Sequence, residues 1–298
     1  REPGGHEGNA MNIVGSIVVH VDAFARSEAR LRMALTLAQA FRAWLTAVYA
    51  VPTAAYDTPL LLVEGFASLM PALERIDRER QEQARAMFDR VIGGAGTAVA
   101  DAAQWVDAGR DPVYAALAAH ALLADLVVFG QHDPSTAQRA SDSELVASTL
   151  IETGAPGLVV PYAGRFDPAT LTSDGLIALL AWKATREAAR AVRAALPWLQ
   201  RAGRIHLAVE APDPGDAAAP TLAALRRWLG LHDCAAETTH CLIDRDHPGE
   251  ALLSAAADVS ADLLVMGCFG HNRARELVLG GASRTVLQSM TLPVLMAH

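Results

Sequence analysis

The sequence predicts an α/β protein with two tandem domains, each a doubly wound five-stranded parallel sheet, related by a pseudo-twofold axis. An internal repeat is the first observation, since residues 124–130 recur as 261–267 and the copies align without a gap from Gly130 onward. A repeat of this length indicates a duplicated domain and not a solenoid. The second observation is that strand-like and helix-like segments alternate, and several strands are apolar throughout. This pattern is typical of parallel sheets covered by helices on both faces.

The first predicted domain spans residues 11–162. Its predicted strands are 12–21, 44–51, 98–106, 126–129 and 158–160, and its predicted helices are 27–41, 66–91, 111–122 and 143–152. The helix at 27–41 follows from Leu31, Ala34, Leu35 and Ala38, whose spacing places apolar side chains on one helical face.

The second predicted domain spans residues 175–298 and repeats the same order. Its predicted strands are 176–181, 205–209, 238–242, 263–266 and 294–296, and its predicted helices are 185–199, 220–229, 249–259 and 283–288. Thr185 is the expected N-cap of the first of these helices. Residues 163–174 are the predicted linker, because glycine and proline interrupt a polar stretch there.

The composition is typical of a two-domain globular protein and argues against nucleic-acid-binding and membrane-spanning classes. A chain of 298 residues, 52% of them hydrophobic, accommodates two domains with real cores. The net charge of −8 argues against a nucleic-acid partner, and no apolar run is long enough to span a bilayer. Three cysteines at unpatterned spacing predict a reducing cytoplasm and no metal cage. Residues 1–10 lack the apolar core of a signal peptide and are not expected to contribute to either domain.

A glycine-rich segment follows the repeated strand in the second domain. The apolar run 261–266 leads into Gly267, Gly270 and Gly280, and a predicted helix comes next. Glycines let backbone N–H groups approach an anion, and a helix N-terminus adds further oriented donors. The segment therefore indicates either a phosphate site or a set of tight turns.

These blocks resemble the tandem universal stress proteins. The spacing Gly267-x2-Gly270-x9-Gly280, continued by Ser283, Val286 and the final Pro-Val-Leu, is similar to the nucleotide-binding motif of that family. The resemblance extends from Met11 to His298. It implies a UspA-like, Rossmann-like stress-response protein. Some members bind ATP or another adenine nucleotide, and members dimerise through the last strand.

The resemblance also implies which residues form the site in the second domain. In nucleotide-binding members an Asp near the ribose ends the first strand, a Val late in the second strand touches adenine, and the glycine loop holds the phosphates. Here the corresponding residues are Lys183, Val209 and the loop glycines, followed by Gly281 in place of the usual Ser or Thr and then by Ser283. We expect ATP, AMP or another adenine nucleotide in this domain. Lys183 then either contacts a phosphate oxygen or is a solvated residue that follows a strand.

The first domain is expected to bind no nucleotide. It retains the Asp as Asp22 and the first glycine as Gly130, but Asp133 and Ser143 stand where the second and third glycines belong. A carboxylate that faces a phosphate costs Coulomb energy.

Four further features of the sequence leave two interpretations open. His20 and Asp22 share one strand face and form either a proton-transfer pair or an ordinary polar pair. The ordinary pair is favoured, because no nucleophile is identifiable beside them in the sequence. Cys268 is either a stabilised thiolate or, as favoured, a small filler residue. His271, Arg273 and Arg275 line a phosphate path or an exposed loop. Trp182 is expected at the seam between domains or at a sheet edge.

Three classes of function remain open from the sequence. The first is a nucleotide-sensing stress protein with one site, and the second is a scaffold or small-ligand carrier with both sites degenerate. The third, an enzyme such as a slow nucleotide hydrolase, ranks last. No catalytic base is identifiable, and Lys183 removes an oxygen ligand for a metal. We therefore assign no catalytic or metal residues. The expected partners are the two domains themselves, through strands 158–160 and 294–296, and a second copy of the chain.

Overall fold

The computed structural model describes residues 14–51, 66–96, 101–108, 113–133, 141–164, 166–210, 218–234, 237–244, 246–268 and 281–298. Across these ranges the chain alternates strands and helices, as the sequence predicts. None of the helices within them combines the length and the apolar character needed to cross a membrane.

Ten strands form a single sheet in the order β3-β2-β1-β4-β5-β10-β9-β6-β7-β8. The strands are β1 (Ser16–Val21), β2 (Trp44–Tyr49), β3 (Ala103–Asp107), β4 (Leu126–Gly130), β5 (Gly157–Val160), β6 (Leu176–Trp182), β7 (Ala202–Glu210), β8 (Glu237–Ile243), β9 (Leu263–Gly267) and β10 (Val294–Ala297). Neighbouring strands run parallel within each half, which confirms the predicted α/β class.

Nine α-helices are described, four in the first half and five in the second. They are α1 (Ala25–Phe41), α2 (Phe66–Gly93), α3 (Val113–Ala121), α4 (Ser141–Thr153), α5 (Arg186–Ala194), α6 (Leu196–Leu199), α7 (Ala218–Leu231), α8 (Pro248–Asp258) and α9 (Gly281–Ser289). The predicted helix 185–199 is thus two helices. Proline lacks an N–H donor and fits only the first turn of a helix, and Pro197 stands in the first turn of α6.

The two halves join through one antiparallel pair of strands. Val294 lies opposite Val159, and Leu295 lies opposite Leu158. This contact confirms the predicted meeting of strands 158–160 and 294–296. Each strand would otherwise be an exposed apolar edge, and their pairing removes both edges. The boundary residues of the two domains stay predictions.

Helices cover both faces of the sheet, so adjacent strand residues are buried on opposite sides. On β1, Ile17 and Val19 belong to a core beneath α1, α2, α5, α6 and α7, whereas Val18 belongs to a core beneath α3, α4, α8 and α9. The first core continues across the halves, where the ring of Phe41 from α1 meets the ring of Trp198 from α6 edge-on at 5.3 Å. This two-sided burial explains why the strands are apolar throughout.

The predicted linker contains structure that the sequence analysis did not anticipate. Residues Pro168–Thr172 form a 3₁₀ helix that Asp167 caps by accepting a hydrogen bond from the N–H of Ala169. Leu171 is 2% exposed and belongs to the core that α1 covers. The segment between the halves is therefore packed against the body of the protein.

Candidate functional site

The carboxyl ends of β6 and β9 form the topological switch point of the second half. From β6 the chain proceeds outward to β7 and β8, and then returns to β9 on the other side of β6. In open α/β sheets, ligands bind outside the carboxyl ends of strands at such a point. Lys183 follows β6 here, and Gly267 ends β9, so two of the residues predicted for the site lie at this crevice.

Gly267 lies directly against the first turn of α5. A Cβ atom added there would stand 2.5 Å from the backbone N of Ala188 and 2.6 Å from the carbonyl carbon of Glu187. Backbone atoms cannot yield as a flexible side chain can. Glycine at this position therefore lets the helix pack closely on the strand, whatever further role it has toward a ligand.

The loop from β6 to α5 is fixed by a helix cap. Thr185 has extended backbone geometry, and its Oγ1 accepts a hydrogen bond from the N–H of Ala188 at 3.3 Å. The predicted N-cap is confirmed. The cap satisfies one of the donors that a helix start leaves without an intrahelical partner, and it holds the loop that carries Lys183.

Glu187 is a buried carboxylate at this site that the sequence analysis missed. The residue is 7% exposed, and its Oε1 accepts a hydrogen bond from Nε of Arg186 at 2.5 Å. Burial alone would raise the pKa of Glu187, but hydrogen bonds from Arg186, from its own N–H and from Thr185 hold that pKa below its usual value. Only its position two residues after the N-cap signalled it, because acidic residues are favoured in the first turn of a helix.

Cys268 has the filler role favoured by the sequence. Its side chain is 1% exposed, and its N–H donates to the carbonyl of Ala297 at 2.9 Å. Burial and the charge of Glu187 raise the pKa of the Cys268 thiol well above its ordinary value. Burial in the core therefore agrees with the filler interpretation and not with a stabilised thiolate.

The other residues predicted for the site are placed as follows. Val209 lies on β7 beside Trp182, and Lys183 is exposed. Gly281 opens α9, and no atom of the described part of the chain lies within 4 Å of the place that its Cβ would take. Ser283 is 5% exposed in the same helix. Gly270, Gly280, His271, Arg273 and Arg275 lie outside the described residues. The two ends of the glycine segment are thus described, and its middle is not.

The corresponding site of the first half is filled by an ion pair. Nη2 of Arg30 donates to Oδ2 of Asp22 at 2.7 Å and to Oγ of Ser27 at 3.1 Å. Oδ1 of Asp22 accepts the N–H of Phe24 at 2.8 Å. A Cβ atom added to Gly130 would overlap Nη1 of Arg30. The guanidinium therefore occupies the space beside the first glycine.

Asp22 is held in its ionised form by this arrangement. Burial would raise the pKa of its carboxyl, but the charge of Arg30, the proximity of His20 and the hydrogen bonds from Arg30 and Phe24 lower it below the usual value. His20 is also 4% exposed, and its Nε2 lies 2.7 Å from the carbonyl oxygen of Ala50. The carboxylate of Asp22 is thus held in an ion pair with Arg30.

The strand registers show what replaces this ion pair in the second half. Ile17 of β1 pairs with Leu126 in the first half, and Ala178 of β6 pairs with Leu263 in the second half, which aligns β1 with β6. On this alignment α1 begins three residues after Asp22, and α5 begins three residues after Lys183. Lys183 therefore corresponds to Asp22. Ala191, which is 1% exposed, corresponds to Arg30. Neither side chain of the first-half ion pair has a counterpart in the second half.

The expected position of Trp182 is wrong. Trp182 ends β6, which lies between β9 and β7 inside the second half of the sheet and not at an edge or at the seam between the halves. Its side chain lines a cavity between α5 and α7. An aromatic residue that follows an apolar strand gives no signal of which neighbouring helix will cover it.

The described residues contain no cluster of three or more His, Cys, Asp or Glu side chains arranged to hold a metal ion.

Comparison with known proteins finds similarity to universal stress proteins. Residues 177–298 match the model of the universal stress protein family. Over 49 residues the chain is 43% identical to a universal stress protein of Synechocystis sp., a match that covers 16% of this chain and 17% of that protein.

Solved structures agree over nearly the whole chain. A universal stress protein from Archaeoglobus fulgidus DSM 4304 superposes with a TM-score of 0.66 at 13% identity, covering 95% of each chain. A putative universal stress protein from Pseudomonas aeruginosa UCBPP-PA14 gives a TM-score of 0.55 at 17% identity, covering 96% of this chain and 94% of its own. Likeness at such identities shows the fold. The second half, residues 177–298, therefore matches the universal stress protein family, and the fold of universal stress proteins extends along nearly the whole chain.

Proposed function

We propose that the second half binds one adenine nucleotide, ATP or AMP, that the first half binds none, and that the protein acts as a nucleotide-sensing stress protein of the cytoplasm. The observation that carries the proposal is the difference between the two switch points. In the first half Arg30 and Asp22 fill the crevice with a 2.7 Å ion pair. In the second half Ala191 stands where Arg30 would be, so this position supplies only a methyl group in place of a guanidinium.

The backbone around the second-half crevice suits a phosphate group. The glycine segment leaves β9 at Gly267 and reaches α9 at Gly281, where no atom of the described residues lies within 4 Å of the place that a Cβ would take. N–H groups of a helix start and of a glycine loop bind anions, and the helix dipole favours negative charge there. The phosphates would therefore lie along residues 267–281, with Lys183 adding a positive charge on the β6 side.

The side chains alter the usual electrostatics of such a site. The carboxylate expected after β6 is replaced by the cationic Lys183, and a different carboxylate, Glu187, is buried one helical turn farther along. Glu187 lies close enough to the glycine strand to raise the pKa of Cys268. It would repel phosphate, whereas Lys183 would attract it. We therefore expect modest affinity that falls as the salt concentration rises.

Calorimetric titration with ATP tests the proposal. The wild-type chain should bind one ATP, and Gly270→Asp should abolish binding, because it adds bulk and negative charge where backbone must approach phosphate. Asp133→Gly is the matched change in the first half, and it should not create a second site while Arg30 occupies the space beside Gly130. Urea unfolding of each variant controls for damage to the fold. Absence of binding by the wild type would support the scaffold alternative. Binding that survives Gly270→Asp would show that this loop is not the phosphate cradle.

A further inference from the structure

A cavity of about 380 Å³ lies between α5 and α7 in the second half. Trp182 and Trp228 line it, together with the aliphatic side chains of Ala189, Val192, Ala224 and Leu225. Pockets that bind small molecules occupy about 300–1,000 Å³ and are lined mainly by apolar and aromatic groups. The volume of this cavity lies near the lower end of that range, and its lining is of the same apolar and aromatic kind.

The cavity and the glycine strand contact different residues of α5 and its N-cap. Thr185, Ala189 and Val192 line the cavity. A Cβ atom at Gly267 would instead meet atoms of Glu187 and Ala188. The lining of the cavity therefore includes neither Gly267 nor the two residues that pack against it.

The two halves differ at a position that borders the cavity. In the first half Glu28 of α1 forms an ion pair with Arg90 of α2 at 2.6 Å, and this pair joins the two helices. By the same strand registers, Ala189 occupies the position of Glu28 in the second half. Alanine cannot form such an ion pair with α7, and Ala189 is one of the residues that line the cavity.

The rim of the cavity carries a positive charge. Arg193, one turn beyond Ala189, is an exposed residue that lines the cavity and makes no ion pair with any residue in the part of the chain that the structure describes. Trp228 is held by a ring contact with His232 at 4.1 Å between centroids. Rigid aromatic walls favour a flat apolar body, and a guanidinium at the opening favours a carboxylate or sulfonate.

We propose that this cavity is a second binding site, separate from the nucleotide site, which takes a small aromatic anion with its ring between Trp182 and Trp228 and its acidic group at Arg193. Its occupant is a compound of the size of a bicyclic aromatic carboxylate. The proposal does not depend on nucleotide binding by the same half.

The probe for this site is 2-naphthoate, titrated against the full chain by calorimetry and by tryptophan fluorescence. Ala224→Phe fills the cavity and should weaken binding at least tenfold. Ala223→Phe adds the same ring at the neighbouring exposed position of α7, which does not line the cavity, and should leave the affinity unchanged. Equal affinities in these two variants would overturn the proposal, as would a wild type that does not bind at millimolar probe.

Two further titrations test the ligand class and the separation of sites. Arg193→Gln should weaken 2-naphthoate about fivefold but should not change the affinity for neutral 2-naphthalenemethanol. An equal loss for both probes would contradict the assigned role of Arg193. Saturating ATP should not displace 2-naphthoate. Competitive displacement would show that the cavity is part of the nucleotide site and would overturn the claim of a separate one.

Discussion

Arg30 is joined to Asp22 by a 2.7 Å ion pair whose two side chains are only 7% and 6% exposed. Asp22 is the residue that the family resemblance would place beside a ribose, and Arg30 lies over the glycine that would open a phosphate loop. The first half therefore retains the acidic residue of a binding site, but this residue pairs with Arg30 in the interior of the protein. The loss of two loop glycines is a second, independent change in the same site.

Asp22→Asn should destabilise the fold by about 3–5 kcal/mol, because it leaves the guanidinium of Arg30 buried without its counter-ion. Urea unfolding monitored by circular dichroism measures the change. Glu28→Gln is the matched control, since it removes a carboxylate paired with Arg32 and Arg90 on the exposed surface and should cost less than about 1 kcal/mol. Similar losses of unfolding free energy in the two variants would show that the buried ion pair stabilises the fold no more than the exposed one.

The contribution of Asp22 to stability should also depend on pH. Its pKa is lower in the folded than in the unfolded chain, so the contribution is complete above the unfolded value of about 4. It should be lost as the pH falls through the lower folded value. The unfolding free energies of wild type and Asp22→Asn should therefore converge below about pH 4. A constant difference from pH 7 to pH 2 would contradict the assignment.

Gly267→Ala should destabilise the fold by about 1–3 kcal/mol, because its Cβ would meet backbone atoms of α5. Gly281→Ala should be neutral or stabilising by up to about 1 kcal/mol, since the added Cβ meets no atom of the described residues within 4 Å and alanine favours helices. Thermal unfolding compares the two variants. If Gly281→Ala proved the more damaging, the packing account of Gly267 would be wrong.

Glu187→Gln should tighten ATP binding. Like charges about 10 Å apart repel by roughly 1.7 kcal/mol at an effective dielectric constant of 20, so a gain of about tenfold is expected. Calorimetry at low salt measures it. Glu250→Gln, which neutralises an exposed carboxylate in the first turn of α8, is the control and should have no effect. Weaker binding after Glu187→Gln would show that the carboxylate holds the nucleotide or its metal ion.

Lys183→Asp should make nucleotide binding more dependent on magnesium. A cation at this position repels a divalent ion and attracts phosphate oxygens, whereas a carboxylate does the reverse. The measurement is a titration of each protein with magnesium and with a chelator. Wild-type affinity should change little between the two conditions. Strong magnesium dependence in the wild type would show that Lys183 does not contact the ligand.

Much of the fold could be predicted from the sequence, and particular residues show why. The repeat at Gly130 and Gly267 fixed the order of elements, and the apolar character of strands 158–160 and 294–296 indicated that they pair. The split at Pro197 and the 3₁₀ helix capped by Asp167 were missed. Both depend on local backbone bonding, which hydrophobic periodicity does not report.

The site was less predictable than the fold. Motif spacing predicted Gly267 and Lys183 as site residues, and both lie at the crevice of the second half. It could not show that Arg30 would pair with Asp22, because that contact joins a strand end to the second turn of a helix. It also gave no sign of the cavity beside Trp182, which depends on how α5 and α7 pack. Such features follow from side-chain packing across elements, and one sequence does not encode them as a motif.

A crystal structure of the chain grown with ATP tests the central claim most directly. Nucleotide density should lie outside the carboxyl ends of β6 and β9, with phosphates between Gly267 and Gly281, and none should lie beside Gly130, where Arg30 remains on Asp22. Density beside Gly130 with the Arg30–Asp22 ion pair broken would contradict the account.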